Sequence, residues 1–201
     1  MNVTPRIAAA TRLLSVACLL AGFGGSLLAQ DAEILPRADR ITTAAPVPKK
    51  SPMASASIRT DGGYARVVYS QPMLRGREMI GRQVGYGKVW RAGANEATEI
   101  FTTADLLVGD KVLPAGAYSV FVVPEPEAWT LIFNRDLGQW GAYGYDDARD
   151  ALRVEAPAQR ADDAFEAFTI FFDRGDLNLA WGTTRVSVPV RFVGEGPGAD
   201  R

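Results

Sequence analysis

Between Ala54 and Phe192 the apolar residues come in short runs separated by Gly, Pro and Asp, and nowhere do they hold the 3.6-residue spacing of an amphipathic helix. A chain patterned this way buries its apolar side chains by pairing short strands. The clearest run is the last one, where Val186, Val188, Val190 and Phe192 alternate with Arg185, Ser187, Pro189 and Arg191. That is the period of a strand with one face in a core, and Pro189 puts it at an edge or turns its missing donor to solvent.

The same reasoning marks strands at Ser55–Arg59 and Ala65–Ser70, joined through Asp61-Gly62-Gly63, and at Glu99–Thr103 and Leu106–Val108. Gly109-Asp110 turns the chain into Lys111–Leu113, and Pro114-Ala115-Gly116 turns it again. Tyr118–Val123 and Trp129–Asn134 form the strongest hairpin, and the first of them, apolar on both faces, is expected at the centre of a sheet. Leu152–Ala156, Ala167–Asp173 and Asn178–Trp181 precede the final strand. The total of about nine or ten strands predicts an all-β, antiparallel β-sandwich, jelly-roll-like or barrel-like. Helix is minor, with short turns expected at Asp146–Ala151 and Ala161–Phe165, where Asp residues can cap.

The 201 residues fit one domain with a leader and tails, and 22 basic residues against 23 acidic ones leave no global field for nucleic acid or an anionic membrane. Histidine is absent and Cys18 is the sole thiol. Ser-His-Asp and Cys-His relays are therefore excluded, as are ordinary zinc, copper and haem-iron sites. No cofactor is expected, and any catalysis would run on carboxylates, Lys, Tyr, Ser/Thr or an oxygen-ligated metal.

Residues 1–30 read as a secretory signal: Arg6 and Arg12, an apolar run from Leu13 to Leu28 broken by Gly22, Gly24 and Gly25, then Ala29 for cleavage. The run is too short to remain as a stable membrane span, and Cys18 makes a poor lipobox because Ser15 stands where Leu is preferred. Cleavage near Ala29 would leave 20 basic against 23 acidic residues, a net charge of about −3, and no thiol. A periplasmic or secreted domain without disulfides must be held by packing alone. Residues 31–52, containing APVPKKSP, read as a Pro/Ala-rich flexible linker, residues 53–193 as a single β domain and residues 194–201 as a disordered tail.

Polar function is densest in Tyr86–Thr98, YGKVWRAGANEAT, where Lys88, Trp90, Arg91, Asn95 and Glu96 lie among Gly87 and Gly93. Arg91 or Lys88 can hold a carboxylate, phosphate or sugar hydroxyl, while Asn95 and Glu96 orient it. The structural alternative pairs Arg91 with Glu96 across the turn and sets Trp90 in the core. Ser70–Gly81 brings Arg75, Arg77 and Glu78 around Gly76, in a loop expected to line the same end of the sandwich. Phe133–Asp147 interleaves Trp140, Tyr143 and Tyr145 with glycines, which suits a saccharide platform or a loop folded back on the core. Asp146, Asp147 and Asp150 lack the spacing of a recognised calcium loop, and Arg174-Gly175-Asp176 is an ordinary turn.

The run YSQPMLRGREMIG at 69–81, then YGKVWRAGANEAT, LPAGAYSVFVVP at 113–124 and FNRDLGQWG at 133–141 resembles the exported bacterial family catalogued as domain of unknown function 2911. The likeness runs from about Pro52 to Pro189. It implies secretion and a compact, mostly β domain, and it brings no activity with it.

The residues thus favour a non-enzymatic binding module of the cell envelope, taking a small polar ligand, a glycan or an envelope protein through Lys88, Trp90, Arg91, Asn95, Glu96, Arg77 and Trp140. A carboxylate-based glycan hydrolase is the alternative, with Glu96 or Glu78 as acid or base and Arg91 as electrostatic clamp. A purely structural domain is the third.

Overall fold

The computed structural model describes residues 49–195. The expected leader, residues 31–48 of the linker and residues 196–201 of the tail lie outside them. Nine strands follow in order: β1 (Met53–Thr60), β2 (Gly63–Ser70), β3 (Thr98–Thr102), β4 (Leu106–Val108), β5 (Lys111–Leu113), β6 (Gly116–Pro124), β7 (Ala128–Asn134), β8 (Asp150–Asp173) and β9 (Asp176–Phe192). They pair antiparallel in the spatial order β1-β2-β3-β6-β7-β8-β9-β4-β5, and the sheet does not close into a barrel.

The expected alternation sets what is buried. Val67 and Tyr69 of β2, Val120 and Val122 of β6, Trp129 and Leu131 of β7 and Val186, Val188, Val190 and Phe192 of β9 all face one core. The sheet wraps around that core because β8 changes partner along its length. Asp150–Pro157 pair with β7, whereas Ala158–Asp173 pair with β9. The ladder slips between Arg160 and Phe165 and again between Phe165 and Thr169, opposite Gly182, which sits at φ 59°. Bulges and a left-handed glycine bend a ribbon that would otherwise run straight. The bend carries the far half of β8 over β2, where the Tyr69 hydroxyl accepts the Ile170 N–H at 3.0 Å and donates to the Ile170 carbonyl at 3.3 Å. The result is a sandwich-like fold.

Three expectations change. Ala161–Phe165 is strand and not a helical turn, because the flanking Arg160 and Phe165 pair with β9 and carry the unpaired Asp162 and Asp163 through a bulge. The sequence breaks read between Ala156 and Ala167, and between Trp181 and Arg185, are bends inside β8 and β9 rather than strand ends. Pro189 lies in an internal strand, beyond the last β8 pair at Val186, where its carbonyl accepts the Gly109 N–H at 2.8 Å. The other expected turn forms as a short 3-10 segment, Asp147–Arg149, capped by the Asp146 side chain on the Ala148 N–H at 3.0 Å.

Both ends of the described chain are tied down. Pro52 O accepts the Gln71 N–H at 2.8 Å and Lys50 O accepts Arg75 Nη2 at 3.1 Å, so the last residues of the linker pack on the loop after β2. Glu195 takes hydrogen bonds from Thr60 Oγ1 and, at 2.8 Å, from the Gly62 N–H.

Candidate functional site

The Tyr86–Thr98 stretch fills a place the sheet leaves open. β3 ends at the Thr98–Val120 pair, and Trp90 takes the next position along β6, exchanging both backbone hydrogen bonds with Val122 at 2.8 Å. The chain then loops out and returns, with Ala92 at φ 49° and Asn95 at φ 59°. Thr98 closes the loop, its Oγ1 donating to Ala92 O at 2.6 Å and its N–H to Arg91 O at 3.1 Å. Because consecutive side chains point to opposite faces, Trp90 enters the core while Arg91 faces the outer surface of β6 and β7. The Trp90 ring lies among Trp129, Phe168 and Trp181, and its indole N–H donates to Gly93 O at 3.0 Å.

The Gly-rich segment after β7 covers that outer surface. It carries a second, smaller apolar cluster of Ala97, Phe121 and Ile132 with Ala142 and Tyr145 packed against them. This covering is why Tyr118–Val123 is apolar on both faces. Its anchor is a polar network that runs from the buried Asn134 to the exposed Arg153. Asn134 Nδ2 donates to Asp150 Oδ1 at 2.8 Å, while Asp150 Oδ2 accepts the Tyr145 hydroxyl and Arg153 Nε, each at 2.7 Å. Burial first, and then the Asp150 carboxylate, pushes the Tyr145 phenol up to about 12. Sequence reading missed this network, although Asp150 and Arg153 stand at the i,i+3 spacing of an ion pair.

The two Gly-rich stretches meet. Glu96 and Trp140 form an antiparallel bridge, flanked by Ala97 N–H to Gln139 O at 2.9 Å and Gly141 N–H to Asn95 O at 3.0 Å. On the resulting surface Trp140 is 58% exposed and Tyr143 89% exposed. The Arg91 guanidinium is half-buried beside them, and it has no carboxylate partner and no acceptor for Nε among the described residues. Desolvation lowers its pKa, with the nearby Tyr143 acting in the opposite sense.

The Arg91–Glu96 pair weighed from sequence does not form. Glu96 pairs instead with Lys49, whose Nζ also lies 5.7 Å from the Trp140 ring centroid. The hydrogen bond from Lys49 is the main reason the Glu96 pKa is lowered, so this carboxylate is held as an acceptor and is poorly suited to giving up a proton. Asn95 spends its amide inside the fold, on Ser70 Oγ at 3.1 Å and Ser51 O at 3.3 Å. Lys88 is exposed on the same stretch.

Arg77 and Glu78 lie elsewhere, facing Trp181 and Gly182 at the β9 corner. The expected gathering of the Ser70–Gly81 loop with the Tyr86–Thr98 stretch is thus partial: the Ser70 end joins Asn95, and the Arg77 end does not. Among the described residues no group of three or more carboxylates is placed to hold a metal ion. Asp146 is used as a cap and Asp150 in the network.

A family model described as Protein of unknown function (DUF2911) matches residues 51–190. No curated protein and no solved structure matches the chain.

Proposed function

This chain belongs to the family described as Protein of unknown function (DUF2911), and from that premise we propose that it is an exported, non-enzymatic binding module of the cell envelope. Its ligand is a small polar molecule, most simply a saccharide, held at the surface formed by Arg91, Glu96, Trp140 and Tyr143. One observation carries this reading: a half-buried guanidinium with an unpartnered Nε beside two exposed aromatic rings.

A guanidinium pays for desolvation unless acceptors replace the water it has lost, and since Nε is itself buried, a ligand carboxylate or hydroxyl would supply them at the terminal amino groups. Trp140 and Tyr143 offer ring faces on which a pyranose stacks, and the ionised Glu96 accepts from its hydroxyls. Export is supported by the Arg6, Arg12 and Leu13–Leu28 pattern and by the absence of any thiol after Cys18.

The test is a saccharide panel, neutral and uronic-acid-containing, screened by thermal shift and titration calorimetry against the native chain and the Arg91→Ala and Trp140→Ala variants. Binding is expected that both variants weaken at least tenfold without a matching loss of melting temperature. A panel without a single binder, or binding untouched by either variant, sinks the reading, and retention of an envelope protein by this surface would replace the saccharide with a protein partner.

A further inference from the structure

A second concavity lies between the loop after β2 and the corner of β9, lined by Leu74, Arg77, Met79, Ile80, Trp181 and Gly182 among others, with a volume of about 360 Å³. It is separate from the Arg91 surface. Its size is at the low end of the roughly 300–1,000 Å³ typical of small-molecule pockets. We propose that it binds a small amphipathic carboxylate, with the apolar body on Leu74, Met79 and Ile80 and the carboxylate on Arg77.

Four features support this. The corner residue is Gly182, at φ 59°, and Leu74 Cδ1 at 4.0 Å is the nearest atom that a Cβ there would meet, so the space above it is open. Trp181 contributes to the wall and stacks on Trp90 with ring centroids 5.5 Å apart. Arg77 is fixed by its own loop, Nε donating to Leu74 O at 2.9 Å and Nη2 to Met73 O at 3.1 Å. That leaves Nη1 unused and the guanidinium already ordered, which lowers the entropic cost of taking a carboxylate. Glu78 also lines the concavity, but its carboxylate is engaged by Arg82 at 3.1 Å and not by Arg77.

A lining in which Leu74, Met79 and Ile80 supply the apolar surface, Thr183 and Thr184 supply hydroxyls and Glu78 is engaged by Arg82 leaves Arg77 as the cation open to a ligand, and so selects a molecule with a short hydrocarbon body and a single anionic end. A neutral alcohol of equal length would keep the apolar contact and lose the charged hydrogen bond. An inorganic anion would do the reverse.

Octanoate, 1-octanol and acetate serve as probes, titrated calorimetrically into the full chain and followed by tryptophan fluorescence, since Trp181 lines the concavity. Saturable one-to-one binding of octanoate is expected, at least tenfold tighter than octanol, with none measurable for acetate. Arg77→Ala should weaken octanoate at least tenfold and leave octanol unchanged. Ala164→Trp, at an exposed lining position, should abolish octanoate binding while the melting temperature holds, which keeps the test decisive even if Arg77→Ala folds poorly. Absence of saturable octanoate binding, equal affinity for octanol, or binding that survives Ala164→Trp would each overturn the proposal.

Discussion

Trp90 lies nearly parallel to Trp181, their ring centroids 5.5 Å apart and their planes inclined by 13°, in the middle of the core. The stack joins the loop after β2 and before β3 to the corner of β9, two parts of the chain that share no ladder. Truncation by Trp90→Ala removes this contact, the edge contacts to Trp129 and Phe168 and the hydrogen bond to Gly93 O. The expected loss is about 3–5 kcal/mol in urea unfolding. Trp90→Phe keeps much of the ring area and should lose markedly less; equal losses would mean that the packing is not what matters.

The Asp150 carboxylate holds the covering segment to β7 and β8 through Tyr145, Arg153 and Asn134. Asp150→Ala leaves the buried Asn134 amide short of one acceptor, for an expected cost of about 1–3 kcal/mol. Limited proteolysis should then cut within residues 135–149, while the native chain resists there. An unchanged digestion pattern would show that the network does not anchor the segment.

Alkali should expose the same network. Tyr145 has a native pKa pushed up to about 12 by burial and by Asp150, against roughly 10 for an unfolded tyrosine. Between those values the folded state binds more protons than the unfolded one, so the stabilisation is complete below pH of about 10 and is lost as pH rises towards about 12. Tyr69 and Tyr118 are raised as well and add to the same trend. Tyr145→Phe should therefore flatten the fall in stability across this window without abolishing it, as read from urea midpoints at stepped pH.

Lys49 governs the titration of Glu96, whose lowered pKa owes most to the hydrogen bond from that ammonium. In Lys49→Met the Glu96 carboxyl should titrate closer to its ordinary value, an upward shift visible by carbon-detected NMR. No movement would mean that the pair does not persist in solution.

Two glycines separate crowding from backbone strain. A Cβ at Gly93 would sit 2.9 Å from Ser70 O and 3.3 Å from Thr98 Oγ1, whereas one at Gly138, at φ 69°, would meet nothing within 4 Å. Gly138→Ala should cost only the left-handed backbone term of about 1–2 kcal/mol. Gly93→Ala should cost about 1–3 kcal/mol through displaced backbone, and should also disturb the Arg91 surface. Saccharide binding in the two variants distinguishes them, being lost with Gly93→Ala and kept with Gly138→Ala.

Local pattern carried most of the strands, because the alternation in Val186–Phe192 and the doubly apolar run Tyr118–Val123 already state which side chains must leave water. It also located the two Gly-rich stretches that meet at the candidate surface. Where it went astray, a local signal competed with a distant partner: Asp162 and Asp163 look like caps until β9 pairs beside them. Lys49 gave no sign of its role, since a lysine in a Pro-rich linker is indistinguishable from any solvated one.

Sequence alone therefore determined the class of fold, the inward faces of its strands and the exclusion of imidazole chemistry, all of which follow from residue type and period. The tertiary structure decided the partners: Lys49 for Glu96 across 47 positions, no acceptor for Arg91 Nε among the described residues, and Asp150 for Tyr145 and Arg153. Such pairings depend on where left-handed residues such as Ala92 and Asn95 aim the chain, and on bends such as the one at Gly182. Angles of that kind add up over many residues, so they are set by the packed whole and not by any window of the sequence.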